Sequence, residues 1–219
     1  MKILALEFSS PQRAAAIVDA KPGAPPACLG ESIETGQATN ALGLIEQSLR
    51  QAQLDRGQIE AVAVGLGPGS YHGIRLAIAL AQGWSLARPV KVFGLSSAEC
   101  IAAEAHGLGI RGTLQVVIDA QRNEIYAATY HLGEQAACAT DELRLLTLAE
   151  AQSRVSAGGL VAGPEAQRWF PGSRVIFPRA ATLGQLASRR TDPLDAADLQ
   201  PIYLRPTQFV KAPPPRFRG

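Results

Sequence analysis

The densest chemical signal in the sequence is a glycine-rich block, Gly65-Leu66-Gly67-Pro68-Gly69-Ser70-Tyr71-His72-Gly73-Ile74-Arg75, set between an apolar run and a segment of helical character. A turn of this kind presents unpaired backbone N–H groups at the positive end of a helix dipole, so it could hold a phosphate or a carboxylate. On that basis Gly67, Gly69, Ser70 and Gly73 form a candidate anion-binding loop. The competing explanation is mechanical, because glycines also permit a tight turn and a close helix–sheet contact. The block is not a Walker A loop, since no Gly-Lys-Ser/Thr follows, and it does not fit the dinucleotide fingerprint. Two acids, Glu7 and Asp119, end apolar runs. An acid there could hold a metal-bound nucleotide or could cap a turn.

Other chemistry is scarce. His72, His106 and His131 have no partners at metal-binding spacing, so no metal site is expected. Neither Ser9-Ser10 nor Ser96-Ser97 sits in a nucleophile elbow. Cys28, Cys100 and Cys138 are odd in number and far apart, which is neither a zinc site nor a disulfide framework and points to a reducing compartment. Cys100 falls on an apolar helix face and reads as core. No catalytic residue is assigned.

The elements that must position these residues follow from periodicity. Lys2 to Phe8, Arg13 to Asp19 and Ala27 to Thr35 read as three strands in succession. Ala41, Leu42, Ile45, Leu49 and Ala52 recur at helical spacing behind Thr39 or Asn40 as N-cap. A doubly buried strand at Ile59 to Gly65 leads through the glycine block into a helix from about Ser70 to Ala87, a short strand at Lys91 to Phe93 and a helix from Ser96 to Ala105. Thr113 to Asp119 and Glu124 to His131 form a hairpin. Helices at Thr147 to Val155 and Thr182 to Arg190 bracket strands at Leu160 to Ala162 and Arg174 to Phe177. This order predicts mixed sheets with helices packed on them, an α/β fold.

The helix after the glycine block is apolar around nearly its whole circumference, whereas a surface helix keeps a polar side. It is therefore either buried between two layers or an interface with another chain. The interface reading takes Leu42, Ile45 and Leu49 from the earlier helix and Ile74, Leu76, Ala77, Leu80, Ala81 and Trp84 from this one as partner-binding residues. Gly73, Ala77 and Ala81, at four-residue spacing, form a stripe that another backbone could approach.

Composition narrows the function classes. The 219 residues carry a net charge of +2, which excludes a strongly electrostatic nucleic-acid binder. Charged residues are 18%, below the usual value of about 25%, so apolar surface needs cover. The first apolar run is broken by Glu7 and is too short for a signal peptide, and no run is long enough to span a membrane. A cytoplasmic protein is expected. The end, Lys211 to Gly219, is proline-rich and basic and reads as a disordered tail. Its Lys211, Arg216 and Arg218 either reach nucleic-acid phosphates, a contact that would weaken with salt, or only keep an apolar protein in solution.

Taken in order, Ile3-Leu-Ala-Leu-Glu-Phe-Ser9, Ala61 through Arg75, Gly94-Leu-Ser-Ser-Ala-Glu99, Ile118-Asp-Ala-Gln-Arg-Asn-Glu-Ile-Tyr126 and Pro201-Ile-Tyr-Leu-Arg205 resemble the TsaB (YeaZ) family of tRNA threonylcarbamoyladenosine biosynthesis proteins. The resemblance implies a two-lobed, actin-like or Hsp70-like ATPase fold, ribonuclease-H-like in each lobe. It places an N-terminal, partner-binding lobe at 1–108, a C-terminal lobe at 109–210 and the tail at 211–219. It further implies a non-catalytic subunit that pairs with TsaD, joins TsaE in a larger assembly, forms a homodimer when isolated and meets tRNA only indirectly. The family usually has Asp-Thr-Ser where this chain has Glu7, Phe8 and Ser9. Gln37 stands where many members have His, and His72 where they have Thr. A longer acid and a bulky aromatic are expected to crowd the phosphate corner, leaving no tightly bound cofactor and only weak ATP or ADP binding. The alternative is a stand-alone actin-like ATPase or kinase using Glu7 and Asp119.

Overall fold

The computed structural model describes residues 1–36, 40–155 and 159–205. The basic tail, Gln37 and Thr39 lie outside them. Strands β1 (Lys2–Glu7), β2 (Gln12–Asp19), β3 (Ala27–Thr35), β4 (Ala61–Gly65) and β5 (Lys91–Leu95) form one sheet in the order β3-β2-β1-β4-β5. β1 runs antiparallel to β2 and parallel to β4, so the sheet is mixed. The second sheet has the order β11-β10-β6-β7-β8, built from β6 (Gly112–Asp119), β7 (Glu124–Leu132), β8 (Ala137–Ala139), β10 (Leu160–Gly163) and β11 (Arg174–Val175). A further strand, β9 (Arg144–Thr147), also pairs with β7. The two-lobed α/β architecture is the one expected. The short strands β8 and β9 were not predicted from periodicity, and the strand expected from Ile59 begins at Ala61 after a 3-10 turn.

Strand β1 is covered on both faces, which is why it reads as a continuous apolar run. Leu4, Leu6 and Phe8 point beneath α1 (Ala41–Ala52) and α2 (Tyr71–Ala87). Ile3 and Ala5 point to the opposite face, where α5 (Ala180–Ala187) lies. Five alanines, Ala5, Ala14, Ala16, Ala61 and Ala63, lie on that face, so the α5 backbone can come close. A Cβ on Gly184 would run into Val18 and Ala5.

Two helices sit against the sheet from the other half of the chain. α3 (Ser97–Gly107) turns Ala98, Ile101, Ala102 and Ala105 onto Leu114, Val116 and Tyr130 of the second sheet, while its Cys100 faces the first. α5, from the second half, packs Ala180, Leu183 and Ala187 on the first sheet. A cut after residue 108 therefore keeps each sheet whole but separates both helices from the surfaces they cover. α4 (Leu148–Val155) closes the outer side of the second sheet through Ala151.

Asn40 is the N-cap of α1, its Oδ1 accepting from the Gly43 amide at 3.0 Å. The structure also divides the residues expected at an interface. Ile45, Leu49, Ile74, Ala77 and Ala81 are buried in this chain's own core and have no surface to offer. Leu80 and Trp84 are half-buried against that core. Only Leu42 and Leu76 stand exposed. The stripe of Gly73, Ala77 and Ala81 faces the sheet and admits the end of β1, not a second chain.

Two glycines of α2 test this packing in opposite senses. A Cβ on Gly73 would overlap the Phe8 carbonyl, a backbone group that cannot swing away, whereas one on Gly83 meets nothing. Gly73→Ala is expected to cost about 2 kcal/mol or more through overpacking. Gly83→Ala is expected to gain about 0.5–1 kcal/mol from helix propensity. Urea denaturation of the two variants measures both.

Candidate functional site

The ends of β1 and β4 in one lobe face the ends of β6 and β10 in the other across a cleft of ≈ 1160 Å³. Ser9, Ser10, Gly69, Ser70 and Tyr71 line the first wall. Asp119, Gln121, Arg122, Tyr126 and Glu165 line the second, and Tyr203 and Arg205 line the cleft as well.

The glycine block seats α2 on the end of β1. Gly67 and Gly69 hold positive φ, +87° and +148°, and a Cβ on Gly69 would collide with the Ser9 carbonyl. The Ser70 amide donates to that same carbonyl at 2.6 Å. The Ser70 hydroxyl then accepts weakly from the Gly73 amide, at 3.4 Å, as the helix N-cap. All four residues of the candidate anion loop thus have a packing role, and two of their amides are already engaged. Gly69 and Ser70 reach the cleft wall, whereas Gly67 packs against Ile74 and Gly73 against Phe8.

Phe8 is not at the phosphate corner. It shares the phase of Leu4 and Leu6, and so it is wholly buried beneath the helices. Glu7 does not line the cleft either. Its carboxylate lies fully buried behind the loop, accepting from the Ser9 amide at 2.8 Å and from the Ser97 hydroxyl at 2.9 Å. Gly65 has no side chain because a Cβ there would overlap this carboxylate. Burial pushes the Glu7 carboxyl above the usual glutamate range, and the hydrogen bonds from Ser9 and Ser97 offset only part of that.

Asp119 is at the cleft and caps a turn. Its Oδ1 accepts from the Gln121 amide at 2.7 Å, and its Oδ2 lies 3.6 Å from the Arg168 guanidinium. Beside it stands Glu165, whose carboxyl is pushed up by burial first and then by the Asp119 charge. Glu165 Oε2 is buried and has no hydrogen-bond partner among the described residues. Glu165 is not distinguished by the sequence alone, and Tyr203 and Arg205 enter there only within the Pro201–Arg205 motif, with no place at a site. The signal for Glu165 was its place after Gly163-Pro164, a strand-to-turn junction like the one that carries Asp119. Among the described residues no three His, Cys, Asp or Glu side chains converge as a metal site would require.

A family model described as TsaD: tRNA N6-adenosine threonylcarbamoyltransferase matches residues 34–181. The tRNA threonylcarbamoyladenosine biosynthesis protein TsaB of Haemophilus influenzae is 24% identical over 196 residues, 81% of this chain and 83% of that protein. TsaB of Escherichia coli is 31% identical over 93 residues, 42% of this chain and 40% of that one. The solved structure of YeaZ from Pseudomonas aeruginosa superposes with a TM-score of 0.77 at 23% identity, covering 93% of this chain and 99% of that chain, and so shares the fold.

The buried acid has a pH signature. A glutamate whose folded pKa is raised contributes stability below its unfolded value, and that contribution is lost as pH rises through the folded value. Glu7→Gln keeps an acceptor for the Ser9 amide and removes the buried charge. The variant is expected to melt above the native chain at about pH 7.5, with the gap closing toward about pH 4. Thermal melts across that range check it.

Proposed function

Because the chain belongs to the family described by the TsaD tRNA N6-adenosine threonylcarbamoyltransferase model, and is similar along most of its length to a TsaB protein, we propose that it is a non-catalytic subunit of threonylcarbamoyladenosine tRNA modification that docks TsaD. The observation that carries the docking role is the outer face of α2. Its inner face is spent on the core, yet Leu76 at 37% and Leu86 at 90% exposure stand outward with exposed Ala79 and Gly83 between them. Leu42 of α1, at 58%, adds to the same apolar character. An apolar row of this kind needs cover. TsaD provides it in the complex, which TsaE completes, and a second copy of the chain provides it in isolation.

The cleft supports an accessory role. Glu7 is sequestered behind the loop, and Asp119 is held by Gln121 and Arg168, so neither acid is presented to a ligand in the way a phosphoryl-transfer enzyme needs. With the Ser70 and Gly73 amides engaged, ATP or ADP binds only in the millimolar range, about -4 kcal/mol. Micromolar binding by the isolated chain would instead favour a stand-alone ATPase or kinase. tRNA is met through the assembly, in the cytoplasm where tRNA is. No helix among the described residues is long and apolar enough to cross a membrane.

Leu76→Glu is the test. The side chain is outside the core, so melting should stay at the native value while affinity for TsaD falls tenfold or more, about 1.4 kcal/mol. Calorimetry with purified TsaD reads the loss, and native affinity in a folded variant would refute the docking face.

A further inference from the structure

Residues 194–205 have little regular structure of their own, yet they are bonded at every few positions as they cross from one lobe to the other. The Leu194 amide donates to Val92 at 2.8 Å on the edge of the first sheet. Gln82 of α2 donates to the Ala196 carbonyl at 3.1 Å, and Ala196 and Leu199 are buried in the core beneath that helix. The Ile202 amide donates to Leu66, inside the glycine block, at 2.9 Å. Tyr203 then stacks on Tyr71, the first residue of α2, with ring centroids 5.7 Å apart and planes 22° from parallel. Arg75 reinforces the stack, reaching the Tyr71 hydroxyl at 2.7 Å.

Two residues later the segment reaches the other lobe. Arg205 donates to the Ala120 carbonyl at 2.9 Å and pairs with the Glu124 carboxylate, bracketing the β6–β7 turn. That turn is unusual. Gln121, Arg122 and Asn123 all have left-handed backbones, with φ of 63°, 57° and 60°. L residues avoid this conformation, and a run of three persists only where the surroundings over-determine it. Arg205 is a cation placed on the carbonyl that enters the turn and on the acid that leaves it. Gln121 and Arg122 in turn form part of the cleft wall.

We propose that residues 194–205 are a strap coupling the start of α2 to the β6–β7 turn, with Arg205 as the residue that positions the turn and the Tyr71–Tyr203 stack as the anchor that holds Arg205 in place. A disturbance at Tyr71 is then felt at the cleft wall in the opposite lobe. The inference rests on the contact geometry alone and stands independently of the docking partner. Joined to the docking reading, it gives α2 a route by which a bound partner stiffens the cleft.

Amide hydrogen exchange on the full chain tests the coupling. Arg205→Met is expected to speed exchange of the amides at 120–124 by about tenfold or more, leaving the middle of β6 at native rates. Tyr71→Ala is expected to speed the same amides by about threefold or more, and the double variant to be no faster than Arg205→Met alone, since both act through one link. Tyr203→Ala provides the same test should Tyr71→Ala unsettle α2 itself, which exchange within 77–82 would reveal. Native exchange at the turn in both tyrosine variants would overturn the strap. So would a double variant whose effect is the product of the two single ones, because the residues would then act separately.

Discussion

The start of α2 lies against the end of β1 so closely that two carbonyls, of Phe8 and Ser9, occupy the space where side chains of residues 73 and 69 would otherwise be. Much else follows from this contact. It demands glycine at both positions, fixes the direction in which α2 leaves the sheet and brings Ile74, Ala77, Ile78 and Ala81 down over β1 and β4. The 17-residue helix then has one face committed to the core and the other left outward. One wall of the cleft is the same contact seen from the other side, where Ser9, Gly69 and Ser70 meet.

The lobes are held together by exchange more than by a shared sheet. α3 lies on the second sheet and α5 on the first, and the two helices are tied by the Thr182 hydroxyl on the Glu104 carboxylate and by Arg190 on Glu99. Glu31 of β3 reaches across to Arg179 and accepts from the Ala181 amide at 3.0 Å, satisfying a donor at the start of α5. Glu7 joins the end of β1 to α3, accepting from the Ser9 amide and the Ser97 hydroxyl. It is a buried acid in a joint, kept although burial disfavours its charge, and this explains its distance from the chemistry that an acid at a strand end first suggests.

Periodicity carried most of the fold because its longest elements have enough turns or alternations to declare themselves. The first three strands, α1, α2 and the β6–β7 hairpin were all readable within a residue or two. β8 and β9 contain three and four residues, too few for any period to register, and their place is set by the strand β7 with which both pair. Phe8 was placed wrongly for a reason visible in the sequence itself. It shares the parity of Leu4 and Leu6, and alternation alone assigns it to the helix-covered face. α2 is the opposite case. Apolar residues surround it, so sequence cannot separate its core face from its outer face, and nine candidate interface residues resolve into five buried, two half-buried and two exposed only in three dimensions. The strap was unreadable as structure, since its bonds are long-range and it has no repeat, although Pro201-Ile-Tyr-Leu-Arg205 was already conspicuous as a motif.

The claim that most needs a direct reading is that the outward face of α2, and not some other exposed apolar spot, is where TsaD sits. Leu86 on that face and Val175 at the edge of the second sheet are both exposed, at 90% and 44%. A photo-reactive benzophenone side chain placed at either position reports what lies against it without disturbing the core. The account predicts a crosslink to TsaD from position 86 and none from position 175. A crosslink from position 175 with none from position 86 would contradict it.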